Sequence, residues 1–297
     1  MGARAFVVAA WASGFGAGLS RSGRWSAAPG PSRELQRALA ECASADEACA
    51  VLYDRAEEAN EVNVAATLHR ASRDGAGAEA TAWLFRCCEE AAPRMRERQL
   101  ANSARALGVL ASRSPVGGEA ARSREAAQSA VSMAIAEGGF AWKEAHEVAM
   151  ASWACGSAAA RAKSGGAKFA AARALLALAE AAAGETRGLQ GYGSKEAADV
   201  VWALASARHD LLGGDEADDA VATIATALDS LARHAGDPAT RYRPRDVATC
   251  AWACARLGDG DWRVQAEARS ALRALSGKVD ATFPPRDAAW KSNMYER

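Results

Sequence analysis

The sequence predicts an all-α fold, an alpha-solenoid of stacked helical hairpins, and three observations predict it. Half of the 297 residues are apolar, much of that is alanine, and only eight prolines interrupt the chain. Alanine loses no side-chain entropy in a helix, so this composition favours long helices over strands. A short tryptophan-centred segment recurs in phase, which is the signature of a repeat array. Between its copies, apolar residues fall at the 3.6-residue period.

Taken in order, Ser32-Arg33-Glu34-Leu35 reads as a helix start, with Leu35, Leu39 and Cys42 on one face. A second helix is expected over residues 45–58, striped by Ala48, Val51, Leu52 and Ala56. The repeat then begins. Its clearest copy runs from Tyr242 to Gly258, with Pro244 and Asp246 at the entrance and Trp252 in the middle. Aligned on Asp246 and Trp252, earlier copies carry Glu196 and Trp202, Glu147 and Trp153, Gln99 and Arg105, and Asn63 and His69. A further copy opens at Phe283-Pro284-Pro285-Arg286-Asp287. From Asn63 to Asp287 the acidic position recurs after 36, 48, 49, 50 and 41 residues, the size of a helical hairpin plus a variable loop. The expectation is about five repeats plus a partial sixth.

Second helices are expected over residues 78–92, 123–137, 167–183, 216–234 and 263–275. Val221, Ile224, Leu228 and Leu231 make one apolar stripe; Val264, Ala268, Ala271, Leu272 and Leu275 make another. The tryptophan-bearing helix is apolar on two sides, with Val247, Cys250, Cys254 and Leu257 on one and Ala248, Trp252 and Ala255 on the other. Such a helix must be buried between neighbours. Pro244 and Asp246 suit a first turn, where no amide partner is lost and an acid meets the positive dipole end. Gly258 suits the stop, and Gly213-Gly214 and Asp259-Gly260 suit turns.

Residues 1–33 read as a targeting leader. The first acid is Glu34, preceded by four arginines, serines and an apolar run, Ala5 to Trp11, too short to span a bilayer. A mitochondrial presequence fits, and so does a signal-plus-transit leader for a plastid, since Ala12-Ser13-Gly14-Phe15 resembles the cleavage motif of such leaders. Residues 34–297 form the helical-repeat domain, expected to be truncated at its C-terminus because it ends inside a repeat. No later segment is long and apolar enough for a membrane. The formal net charge is zero, from 36 basic and 36 acidic residues, so attraction to nucleic acid would have to be local. Seven cysteines in apolar helical contexts read as buried free thiols of a reducing compartment.

The segment from Tyr242 to Gly258 resembles the octotricopeptide-type repeat of organellar RNA-binding proteins, whose pattern is aromatic, x, Pro, x, Asp, Leu, Ala, Asn, Thr, x, Trp, Ala, Leu, Ala, x, Leu, Gly. It is similar as well to the repeats of FAST-kinase-like, RAP-containing proteins and of subunit six of the kinetoplastid RNA-editing substrate-binding complex. The stretch from Asn60 to Arg70 is similar to the opening repeat of algal members. This resemblance implies a mitochondrial-matrix or plastid protein that binds single-stranded organellar RNA in processing, stability or translation, alongside other proteins of a ribonucleoprotein complex. The motif's Asn is kept only at Asn102; Ala66, Met150, Asp199 and Thr249 replace it elsewhere. No RAP-like domain follows, so nuclease-like activity is not implied. The alternative is a protein-protein interaction scaffold of the same architecture.

Candidate phosphate ligands are Lys195, Arg208, Arg241, Arg243, Arg245, Arg256, Arg263 and Arg286, with three arginines clustered from Arg241 to Arg245 at a helix entrance. Their other reading is a solvated face laced with acids. Trp153, Trp202 and Trp252 could stack on bases, but their regular phase favours a role as repeat-packing anchors. Other chemistry is thin. His69, His146, His209 and His234 stand apart from cysteines at zinc spacing, Ser164 to Lys168 lacks the length of a phosphate-binding loop, and no catalytic constellation stands out. The expectation is a non-enzyme without metal or cofactor.

Overall fold

The computed structural model describes residues 33–113, 118–184, 188–213, 217–259 and 261–282. Most of the expected leader, the copy opening at Phe283, and Arg286 lie outside them. Among the described residues the chain is all-helical, without a strand. Its α-helices are α1 (Arg33–Glu41), α2 (Ala45–Asp54), α3 (Glu61–Asp74), α4 (Ala78–Ala91), α5 (Glu97–Arg113), α6 (Gly118–Glu137), α7 (Ala145–Arg161), α8 (Gly165–Ala183), α9 (Ser194–Leu212), α10 (Ala217–Gly236), α11 (Pro244–Gly258) and α12 (Trp262–Thr282). The helix expected over 45–58 is shorter, ending at Asp54 and giving way to a 3-10 turn, Ala56–Glu58. The last helix is longer than expected, and both differences lie at ends, where periodicity is weakest.

Two compact units divide the chain, one of Met1–Phe140 with Ala162–Ala170, the other of Ala141–Arg161 with Ala171–Arg297. In the first, α1 packs on α3 and α3 on α5, while α2 packs on α4 and α4 on α6. Hairpin contacts join α3 to α4 and α5 to α6. The first helix of each hairpin thus stacks on the next first helix, and the second on the next second. The other unit follows the same rule, with α7 on α9, α9 on α11 and α10 on α12, and with α9 joined to α10 and α11 to α12.

Local sequence explains the helix starts. Ser44 caps α2 by accepting from the Glu47 amide at 3.1 Å, and Glu47 accepts from the Ala43 amide at 2.7 Å. Asn60 and Asn63 form a reciprocal box at α3. Pro244 stands in the first turn of α11 with Asp246. The predicted stripes form the core: Ile224, Leu228, Leu231, Val264, Ala271 and Leu275 are 0 or 1 % exposed. Small residues let the first helices approach closely. A Cβ on Gly156 of α7 would stand 2.7 Å from the Ala203 Cα of α9. Gly258 answers the same need, since its Cβ would meet Ala268 of α12 at 2.9 Å. All seven cysteines are buried, and none is in a disulfide. Burial pushes the Cys49, Cys88 and Cys254 thiols up to about 12. Among the described residues no helix is long and apolar enough to cross a membrane.

Candidate nucleic-acid interface

In α11 the buried residues Asp246, Val247, Cys250, Ala253, Cys254 and Leu257 lie on one side. At 3.6 residues per turn, Arg245, Thr249, Trp252 and Arg256 form a stripe on the opposite side. The same four positions in α9 are Lys195, Asp199, Trp202 and Ser206, and in α7 they are His146, Met150, Trp153 and Ser157. In the first unit they are Arg98, Asn102, Arg105 and Val109 on α5, and Val62, Ala66, His69 and Arg73 on α3. Of these residues only Ser157 is buried. Six are lysine or arginine and only Asp199 is acidic, although the whole chain balances 36 basic against 36 acidic residues. The third position is always planar: His69, Arg105, Trp153, Trp202, Trp252.

Electrostatics link stripe positions between helices in the first unit and along single helices in the second. The His69 imidazole is held below its ordinary pKa by partial burial first, then by the charges of Arg105 and Arg73, so α3 and α5 present their stripe residues to one another. In the second unit the Arg256 guanidinium lies 5.8 Å from the centroid of the Trp252 ring. Lys195 Nζ meets Asp199 Oδ2 at 2.5 Å, while burial holds the Asp199 carboxyl above its ordinary range.

The tryptophans expected to anchor the packing sit outside the core of their helices. Trp153 and Trp202 are half-buried and Trp252 is 45 % exposed. Trp252 stands about 200° around α11 from Cys250, the middle of the buried side. What fills the core instead is alanine, cysteine, valine and leucine.

The basic candidates divide by their partners. Arg241, Arg243 and Arg245 are exposed, and their side chains make no hydrogen bond or ion pair among the described residues. Arg98, and Arg105, which the repeat alignment placed at the tryptophan position but not among the phosphate ligands, are exposed and make no hydrogen bond or ion pair among the described residues; helical phase with Arg245 was the signal that could have found them. Arg263 is gripped by Asp218 at 2.5 Å and by Asp261 at 3.1 Å. Arg208 donates to the Asp259 carbonyl, and Arg256 Nε donates to the Ala205 carbonyl at 2.9 Å. These two are clamps between α9 and the α11 hairpin. The first unit has the same device: Arg70 donates to the Leu39 carbonyl at 2.9 Å and to that of Cys42, and Arg113 to the Ser72 carbonyl at 2.5 Å. The Leu39, Cys42, Ser72 and Asp259 carbonyls lie at or just past a helix end, where partners within the helix run out and a neighbour's guanidinium supplies one; Ala205 lies inside α9, so Arg256 adds a second donor there. Arg286 lies outside the described residues.

At the helix entrances, polar groups join one hairpin to the next. Ser194 Oγ donates to Asp246 Oδ2 at 2.7 Å. His234 sits between two tyrosines, accepting from Tyr242 Oη at Nδ1 (2.6 Å) and donating from Nε2 to the Tyr192 carbonyl (3.0 Å). The carbonyl can only accept, which fixes the neutral tautomer. Among the described residues no group of three or more His, Cys, Asp or Glu side chains could hold a metal ion. Comparison with family models, curated proteins and solved structures gives no match to this chain.

Proposed function

We propose that the chain is an organellar RNA-binding solenoid of about five repeats plus a partial sixth, of the octotricopeptide-type kind its repeat resembles, without catalytic activity. Within each unit single-stranded RNA lies along that unit's own stripe, its phosphates on Arg98 and Arg105 in the first and on Arg245 in the second. Its bases meet the planar third-position side chains, which stack without regard to base identity. The protein acts as an adaptor in the processing, stability or translation of transcripts in a mitochondrion or plastid.

The single observation that carries this reading is the charge bias of the stripe positions within each unit, three basic residues and no acidic one in the first and three basic to one acidic in the second, in a chain with no net charge and with a planar group at the third position each time. A solvated helix face would mix both signs. The two-layer stacking of first and second helices supports the solenoid, since it repeats the same contacts in each unit.

The test is a titration of the full chain against labelled single-stranded RNA at several salt concentrations. Binding whose logarithm falls linearly with the logarithm of salt supports the reading, with a slope of about 0.7 per phosphate neutralised. Absence of binding at low salt overturns it. A fluorescent reporter fused behind the first 40 residues tests the compartment, and a purely cytosolic signal removes the organellar part.

A further inference from the structure

Among the described residues the stack of first helices ends on an uncovered side of α11. That side is identified by Gly156 of α7, whose Cβ would meet the Ala203 backbone of α9 at 2.7 Å. Carried along the repeat, the position of Gly156 is Ala205 in α9 and Ala255 in α11. Ala205 is buried, and its carbonyl accepts from Arg256 Nε of α11. One and two turns earlier the same side holds Ser152 and Ala149 in α7, Val201 and Ala198 in α9, and Leu68 and Ala65 in α3. Each of the six is 3 % exposed or less, and each of the three helices has the next first helix packed on it. In α11 the equivalent residues are bare. Ala248 and Ala255 are exposed, Ala251 is half-buried, and the neighbouring Trp252 is the most exposed of the repeat tryptophans.

The chain itself carries a match for that side. Residues 283–297, which lie outside the described residues, repeat the pattern of α11 at a spacing of 41, with Phe283 for Tyr242, Pro285 for Pro244, Arg286 for Arg245 and Asp287 for Asp246. They also follow α12 at the right end. Lys278 Nζ, near the end of α12, donates to the Asp237 and Thr240 carbonyls at 2.6 and 2.9 Å, in the link that leads into α11. The preceding second helix stands in the same relation, since His234 near the end of α10 donates to the Tyr192 carbonyl just before α9. From there the chain runs on into α11, which packs on α9. Length suffices as well. At about 1.5 Å per residue the side from Ala248 to Ala255 is about 10 Å long, and the residues from Pro285 to Arg297 give about 20 Å of helix.

We propose that the side of α11 made by Ala248, Ala251 and Ala255 is the docking surface for residues 285–297 of the same chain, which lie along it as a further first helix. The register sets Met294 against Ala255, as Ala203 is set against Gly156. Charge agrees with it. Asp287 takes the place of Asp246, whose partner is Ser194 of the preceding first helix. The counterpart of Ser194 is Pro244, which has no donor, but Arg243 beside it is exposed and makes no hydrogen bond or ion pair among the described residues. Lys291 stands where Cys250 is buried, and a lysine stem lies on apolar surface while its ammonium stays in water. A second copy of the chain fits less well. The helix at the other end of the described chain, α1, exposes Arg33, Glu34, Arg37 and Glu41, long side chains that hold a helix away from a side built of alanines. The docked residues at the four stripe positions are Arg286, Trp290, Asn293 and Arg297, two basic and none acidic. The docking rests on the repeat alignment and stands or falls apart from the RNA reading.

The test is hydrogen–deuterium exchange of the full chain without RNA, read by mass spectrometry on the peptide covering 288–296, at a low and a high protein concentration. It is repeated with Ala255→Trp, which fills the side from an exposed position, and the amides of 197–205 in α9 report whether the stack is intact. The expected result is exchange at least tenfold slower than for the same peptide in isolation, equal at both concentrations. Ala255→Trp should restore the free rate while α9 stays protected. Exchange at the free rate in the parent chain overturns the proposal, as does slow exchange that Ala255→Trp leaves unchanged. Slow exchange at the high concentration alone overturns it too, by placing a second copy on α11. If Ala255→Trp also exposes α9, the pair Ala255→Cys with Met294→Cys decides instead, the native cysteines being buried. A disulfide between them within one chain supports the docking, and its absence or a link between two chains overturns it.

Discussion

Ser194 and Asp246 stand 52 residues apart in sequence and 2.7 Å apart in space, the hydroxyl of one first helix donating to the carboxylate of the next. The bond joins the entrances of α9 and α11, and Asp246 is only 7 % exposed. Removing the donor leaves a largely buried carboxylate short of a partner. Ser194→Ala should therefore destabilise the chain by about 1–3 kcal/mol, read as a lower urea midpoint. An unchanged midpoint would mean that the carboxylate is satisfied by water and that the bond adds nothing to the stack.

Backbone proximity makes a second demand. Gly156 of α7 lies where a Cβ would stand 2.7 Å from the Ala203 Cα and 2.8 Å from its Cβ. Because the obstacle includes backbone, it cannot rotate away. Gly156→Ala should cost about 1–3 kcal/mol despite alanine's better helix propensity, by overpacking the α7–α9 contact. A stabilised variant would show that the two helices have room to separate.

The two histidines with lowered pKa values give the folded chain a defined response to acid. His234 is held neutral by burial in the first place, between Tyr242 and the Tyr192 carbonyl, and His69 by partial burial together with Arg105 and Arg73. In the unfolded chain both rings take a proton near their ordinary value of about 6.5. Above that pH neither state binds the proton and the contribution to stability is complete. Below it the unfolded state binds protons that the folded state resists, so stability falls until the lower folded pKa values are passed. The thermal midpoint should drop as pH is lowered from about 7.5 to about 5, and His234→Gln should flatten part of that drop. A midpoint that rises over the same interval would contradict the assignment.

Much of this architecture was legible in the sequence, and the reasons are physical. The 3.6-residue period of Val221, Ile224, Leu228 and Leu231 is dictated by burial of one helix side, and all four are 5 % exposed or less. Trp252 was harder, because size and recurrence both point to a core and its true placement depends on rotation relative to Val247, Cys250 and Cys254. Counting 100° per residue from Cys250 puts it on the outer side, a step that composition conceals. Gly258 was legible as a helix end, but its tight approach to Ala268 depends on where α12 comes to rest. The packing of α1 on α3 could not be read in advance, since it depends on where the two helices come to rest.

Arginines beside the stripe separate into two kinds, and binding measurements should separate them too. Arg245 has no partner among the described residues, whereas Arg263 is engaged by Asp218 and Asp261. A phosphate at Arg263 would have to displace two carboxylates. Arg245→Gln should reduce RNA affinity and lower the salt slope by about 0.7, while Arg263→Gln leaves both close to the parent values. Equal losses at the two positions would mean that the basic groups act through overall charge and not through the stripe.

The most direct test of the central claim is fluorescence anisotropy of a labelled single-stranded RNA with the full chain and with the triple variant Arg98→Gln, Arg105→Gln, Arg245→Gln, from about 50 to about 200 mM salt. All three side chains are exposed and unengaged among the described residues, so the fold should tolerate their loss. The account predicts binding by the parent chain, and for the variant a shallower salt dependence by about 0.7 per arginine removed, with weaker affinity throughout. An RNA affinity and slope unchanged in the variant, or no binding by the parent at low salt, would contradict it.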